Sequence, residues 1–120
     1  MMKKTLIIGA SPNPDRYSYM ATEMLVAYGH EVYPFGLRAG KIGSVHIETI
    51  WPIDQSFDTV TLYVGSGNQD VYWQKMIDLK PKRVIFNPGT ENSAFFEALN
   101  KNGIVAIEAC TLVMLRTGQY

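Results

Sequence analysis

Thr5-Leu6-Ile7-Ile8-Gly9-Ala10-Ser11-Pro12-Asn13-Pro14-Asp15-Arg16 decides the fold of this chain. Four β-branched or apolar residues lead into small and turn-forming ones, and a helical pattern begins by about Ser18. The order is strand, tight loop, helix, the arrangement by which an α/β sheet turns backbone N–H groups toward a phosphate. Gly9 matches the first glycine of the dinucleotide-binding fingerprint, but Ser11 stands where its second glycine belongs. An ordinary βα turn carries the same pattern, so the loop alone assigns no ligand.

The same alternation repeats down the chain. Tyr17, Met20, Ala21, Met24, Leu25 and Tyr28 recur at helical spacing and predict one apolar helix face, N-capped by Asp15 or Ser18 and closed by Gly29. Glu31–Phe35 reads as a second strand that Pro34 ends or confines to a bulge. Gly36–Gly43 is a glycine-rich loop, Ser44–Ile50 alternates weakly as a short strand, and Trp51–Asp58 has no period. Thr59–Val64 is a strand by its β-branched and aromatic content, followed by a turn at Gly65–Asn68 whose last residue can cap a helix. Gln69–Lys80 reads as that helix, with Trp73, Met76 and Ile77 inward and Pro81 as its stop. Arg83–Phe86 is a strand, Asn87–Thr90 a turn, Glu91–Asn102 a helix with Phe95, Ala98 and Leu99 inward, and Ile104–Ile107 a last buried strand. The apolar run Thr111–Leu115 packs back as a short helix, or offers a contact for a homodimer or another protein.

Strands that alternate with helices and read as continuous apolar runs specify a parallel sheet covered on both faces. The expected fold is therefore α/β: a single Rossmann-like, doubly wound domain over residues 1–120, with a mainly parallel sheet of about five strands. A chain of 120 residues supports one core of this kind. Lysine plus arginine and aspartate plus glutamate each number 11, so no net field draws the protein to nucleic acid or an anionic membrane, and any anion site must be local. One cysteine, Cys110, forms no internal disulfide and fits a reducing, cytoplasmic setting. Met1–Ile8 begins like a secretory signal, but its apolar part is short and Pro12–Arg16 follow at once.

In such a sheet ligands bind beyond the carboxyl ends of the strands, where four loops fall: Gly9–Arg16, Phe35–Gly43, Gly65–Asn68 and Asn87–Thr90. All are rich in Gly, Pro, Ser or Asn, which let a ligand approach the backbone. The backbone N–H groups from Ala10 onward, with the helix start behind them, are placed to hold a pyrophosphate. The second loop separates the candidate ligands. An NAD site usually carries an acid there for the ribose diol, whereas Tyr33–Arg38 has none and Arg38 and Lys41 stand just beyond it. Those cations suit a phosphorylated ribose, as in coenzyme A or NADP. Catalytic groups are sparse. His30 enters the second strand, His46 has no nucleophile beside it, and Cys110 reads as a buried small hydrophobe rather than a reactive thiol. The two histidines and the cysteine have no metal-site spacing.

Leu6–Ser18, Tyr28–Pro34, Phe86–Asn92, Asn102–Val105 and Ala109–Thr111 together resemble the small CoA-binding proteins, whose domain is also fused to catalytic domains in succinyl-CoA synthetase α subunits and ADP-forming acyl-CoA synthetases. The resemblance spans nearly the whole chain. It implies a Rossmann-like fold with the CoA nucleotide over the first loop, and it carries over Gly9, Ala10, Ser11, Arg16, Val64, Gly65, Ser66, Pro88 and Gly89, with Lys41 nearby. With the loop reading added, Pro12, Ser18, Gly36 and Arg38 complete the expected site, and no residue is assigned to catalysis or to a metal. The chain departs from the family in having Phe35-Gly36 where Asn-Pro is usual, and in a shortened stretch up to Asp58. The phosphorylated histidine of the synthetases lies in a domain outside the matched stretch. The expected function is non-catalytic binding of CoA or an acyl-CoA. The alternatives are an NAD(P)-binding enzyme or subunit, and an interaction protein whose nucleotide site has decayed.

Overall fold

A computed structural model describes residues 1–120. The elements run β1 (Thr5–Ile8), α1 (Tyr17–Ala27), β2 (Val32–Phe35), β3 (Gly40–Ile42), β4 (Val45–Ile47), β5 (Thr59–Leu62), α2 (Asp70–Leu79), β6 (Arg83–Phe86), α3 (Ser93–Lys101), β7 (Val105–Glu108) and α4 (Thr111–Arg116). Five strands form one sheet in the order β2-β1-β5-β6-β7, every neighbouring pair parallel. Strand order reverses between β1 and β5, which makes the gap above them the switch point where doubly wound sheets take ligands.

Strand alternation divides the core in two. Leu6, Ile8, Val60, Leu62, Val84 and Phe86 face Tyr72 and Met76 of α2 and Phe95 and Leu99 of α3. Ile7 faces Leu25 of α1 and Leu115 of α4 on the other side. The short tail helix thus packs back onto the sheet, with Leu112, Met114 and Leu115 buried. No helix is long and apolar enough to cross a membrane.

Several local expectations give way. The inward face of α1 is Ser18, Ala21, Thr22 and Leu25, while Tyr17 is 69% exposed and Met20 and Tyr28 also face outward. Thr22 can be buried because its hydroxyl donates to the Ser18 carbonyl at 2.8 Å. Neither Asp15 nor Ser18 caps the helix: Arg16 holds the N-cap position, without a side-chain hydrogen bond. The glycine-rich second loop folds with the stretch behind it into the antiparallel hairpin β3–β4, whose end covers the outer edge of β2. Pro34 therefore costs the sheet nothing, since its carbonyl faces outward to accept from the Glu48 N–H at 2.8 Å. β7 is an edge, with Val105 56% exposed, rather than a strand buried on both sides.

Under the opposite, amino-terminal end of the sheet, Tyr120 closes the fold. Its hydroxyl meets Thr5 Oγ1, its ring stands edge-on to His30 at 4.9 Å, and the Arg83 guanidinium lies 4.5 Å from its centroid. Lys3 and Arg83 also donate to its main-chain oxygen. Burial pushes the Tyr120 phenol pKa up and, with neighbouring positive charge, pushes His30 down, so both stay neutral in this cluster near pH 7. Tyr120→Ala is expected to lower unfolding free energy by about 3 kcal/mol, the low end for losing a packed aromatic ring. Urea denaturation measures it, and a loss below about 0.5 kcal/mol, the range of ordinary surface substitutions, refutes the clamp.

Candidate functional site

The carboxyl ends of β1, β2, β5 and β6 surround an open cavity of about 840 Å³. The first loop supplies Gly9, Ala10, Ser11 and Pro12, and the start of α1 adds Arg16, Tyr17 and Ser18. Gly36, Leu37 and Arg38 come from behind β2, Val64 and Gly65 from behind β5, and Pro88 and Gly89 from behind β6. Two residues expected here lie elsewhere. Lys41 is exposed on β3, opposite His46 in the hairpin, and does not line the cavity. Ser66 opens the single 3₁₀ turn Ser66–Asn68 and also stays out of the lining. That turn separates Asn68 from α2, so Gln69 rather than Asn68 precedes the helix.

Backbone donors are distributed differently from the simple expectation. The Gly9 and Ala10 N–H groups both donate to the Phe35 carbonyl, at 3.1 and 2.9 Å, which ties the first loop to the second and removes Ala10 as an anion donor. Asn13 N–H bonds Ser11 Oγ, and Asn13 in turn accepts from the N–H groups of Asp15 and Arg16. The N–H groups of Ser11, Tyr17 and Ser18 have no partner in the protein. The last two are the open donors of a helix with no side-chain cap and no acid in its first turn. The positive end of α1 thus faces the cavity uncompensated.

The loops approach one another closely because glycine allows it. Gly9 has φ +94°, and a Cβ there would lie 2.9 Å from the Tyr63 carbonyl oxygen. Beneath the rim, two fully buried amides hold the third and fourth loops. Gln69 Nε2 donates to the Val64 carbonyl at 2.8 Å and the Thr90 carbonyl at 2.7 Å, while its Oε1 accepts from Asn92. Asn87 Nδ2 donates to Thr61 Oγ1 and the Leu62 carbonyl, and its Oδ1 accepts from the Thr111 N–H. The sequence reading passed over both, and also over Tyr63, Asp70 and Tyr72 in the lining. A polar residue just past a strand end, beside a turn, was the available signal for Asn87.

The charged residues of the lining are Arg16, Arg38 and Asp70. The site is therefore biased toward anions although the chain as a whole is neutral. Tyr63 and Tyr72 have their phenol pKa values raised, chiefly by burial, so both phenols stay protonated near pH 7. No three His, Cys, Asp or Glu side chains come together as a metal site.

The chain was compared with known proteins. The family model described as "CoA binding domain" matches residues 3–116. A solved structure of an uncharacterised protein superposes with TM-score 0.96 at 48% identity, covering 100% of this chain and 99% of that one. The cell-free ID.343 protein from Thermus thermophilus superposes at TM-score 0.85 and 16% identity, over 98% of this chain and 90% of its own. A dinucleotide-forming acetyl-coenzyme A synthetase from Ca. Korarchaeum cryptofilum matches at TM-score 0.73 and 15% identity, over 90% of this chain and 25% of that one. No curated protein matches. The two remote likenesses carry the fold alone, but the family match spans nearly the whole sequence: the chain belongs to the CoA-binding domain family.

Proposed function

We propose that the cavity binds coenzyme A or an acyl-CoA and performs no reaction on it. The observation that carries this reading is the bare amino end of α1, whose unpaired N–H groups and Arg16 meet the cavity where a pyrophosphate would lie. Membership of the CoA-binding family supports the choice of ligand. Arg38 supports it further: it lines the cavity behind β2, where an NAD site would carry an acid, and a cation there suits the 3′-phosphate of CoA. The lining holds one carboxylate and no histidine or cysteine, so it lacks a paired acid and base for catalysis.

Calorimetric titration with CoA, dephospho-CoA, NAD and NADP tests the reading. A phosphate contact from one exposed guanidinium contributes about 1–2 kcal/mol, so CoA should bind roughly five- to thirtyfold tighter than dephospho-CoA, less at high salt. Arg38→Ala should remove the preference. Lys41→Ala should keep it, because Lys41 stands outside the cavity. Tighter binding of NAD than of CoA refutes the proposal, and a preference that survives Arg38→Ala moves the 3′-phosphate elsewhere.

A further inference from the structure

The two halves of the cavity rim are held in different ways. Main chain joins the first and second loops: the Gly9 and Ala10 N–H groups bond the Phe35 carbonyl, and Gly36 lies close against the Ala10 carbonyl. The third and fourth loops lack both kinds of support. No main-chain hydrogen bond joins residues 63–69 to residues 87–92. Gly65, Gly67 and Gly89 each have open space where a Cβ would stand. The Asn87 amide reaches only the strand end below, at Thr61 and Leu62. Pro88 lines the main cavity and also a second recess of about 240 Å³. Leu112 bounds that recess with Cys110, which is half-buried where full burial was expected.

One side chain spans the gap. Gln69 has 0% exposure and sits at the position before α2. A side chain there can cap its own helix, but Gln69 makes no such bond. Its Nε2 instead donates at 2.8 Å to the Val64 carbonyl and at 2.7 Å to the Thr90 carbonyl, and both of those residues line the cavity. Its Oε1 accepts from Asn92, whose own Oδ1 caps α3 through the Phe95 N–H. Two carbonyls that meet at one atom need two N–H donors on it, which fixes the orientation of the amide and leaves neither donor free. Gln69 itself does not line the cavity.

We propose that Gln69 is a positioning residue for the cavity's ligand. Without touching the ligand, its amide sets the spacing of the third and fourth loops and holds Val64, Gly65, Pro88 and Gly89 in place before the ligand arrives. Preorganisation of this kind lowers the ordering cost that binding otherwise meets. The proposal rests on the CoA reading of the cavity and goes beyond it by assigning part of the affinity to a residue outside the lining.

Calorimetry with CoA at pH 5.5, run below the melting temperature of each variant, tests it. Gln69→Leu strands both carbonyls and should weaken CoA binding roughly ten- to a hundredfold, the range seen when the hydrogen bonds behind a metal's ligands are removed. Tyr120→Ala breaks the clamp under the opposite end of the sheet, so it should lower the thermal midpoint and leave CoA affinity unchanged. Lost stability alone therefore does not reproduce the effect of Gln69→Leu. Gln69→Glu is the conservative variant. Burial against two carbonyl oxygens raises a carboxyl pKa, so at pH 5.5 the new carboxyl is protonated and restores one of the two donors. Its CoA affinity should fall between those of native protein and Gln69→Leu. If Gln69→Leu binds CoA as tightly as native protein, if Tyr120→Ala loses as much, or if Gln69→Glu recovers nothing, the positioning role is overturned while the CoA reading stands. Should Gln69→Leu fail to fold, Gln69→Glu decides alone, and native affinity in it overturns the role. If native protein binds no CoA, both readings fall.

Discussion

Asn87→Leu is expected to lower the unfolding free energy by about 3–5 kcal/mol, from the summed loss of buried hydrogen bonds and the groups they leave stranded. Asn87 is 1% exposed and sits at the carboxyl end of β6. Its amide donates at 2.7 Å to Thr61 Oγ1 and at 3.0 Å to the Leu62 carbonyl, while its Oδ1 accepts from the Thr111 N–H at 2.9 Å. Leucine has a similar size but no polar atom. The N–H that opens α4 would lose its acceptor, and the end of β5 would lose its tie to β6. The Thr61–Thr111 hydroxyl pair would survive, which keeps the expected loss below that of a wholly broken network. Urea denaturation should give a lower midpoint with an unchanged slope, because the surface exposed on unfolding is the same. A loss below about 1 kcal/mol would show that Asn87 is not the link between these elements.

The same residue shows where sequence reading stops. Alternating strands and helices could be read because each leaves a local mark. The apolar run Val84–Phe86 fills β6 behind Arg83, and Gly29, Pro81 and Gly103 punctuate the helices between strands. The four-loop rim could be read too, because a parallel sheet has only one carboxyl edge. What could not be read depends on partners distant in sequence. Asn87 and Gln69 look like surface amides until Thr111 and Thr90 are brought beside them. Thr22 looks outward until its hydroxyl finds the carbonyl one turn back. Lys41 is three residues from Arg38, yet the β3–β4 hairpin carries it away from the cavity that Arg38 lines. β4 falls inside the weakly alternating stretch Ser44–Ile50, but β3, three residues that begin with a glycine, offers too few positions for a period to register.

Gly36→Ala is expected to weaken CoA binding by on the order of a hundredfold or more, since it should cost two or so charge-assisted hydrogen bonds at about 1.5–3 kcal/mol each. Gly36 does not have a positive φ, so alanine suits its backbone, and its N–H would still donate to the Glu48 carbonyl at 3.0 Å. The obstacle is a neighbour. A Cβ on Gly36 would stand 2.3 Å from the Ala10 carbonyl oxygen, backbone that no rotamer change can withdraw. To regain ordinary contact the two loops must separate by roughly 1 Å. The Gly9 and Ala10 N–H bonds to the Phe35 carbonyl hold these loops together, so the strain falls on the first loop and the start of α1. Ser11, Tyr17 and Ser18 carry the unpaired N–H groups there, and a shift of that size takes hydrogen bonds out of range. Overpacking costs about 1–3 kcal/mol in stability, so the variant should still fold and can be titrated well below its melting temperature. Calorimetry of the folded variant decides the matter. Undiminished affinity would mean that the phosphates do not lie over the first loop, and that the amino end of α1 faces the cavity without serving it.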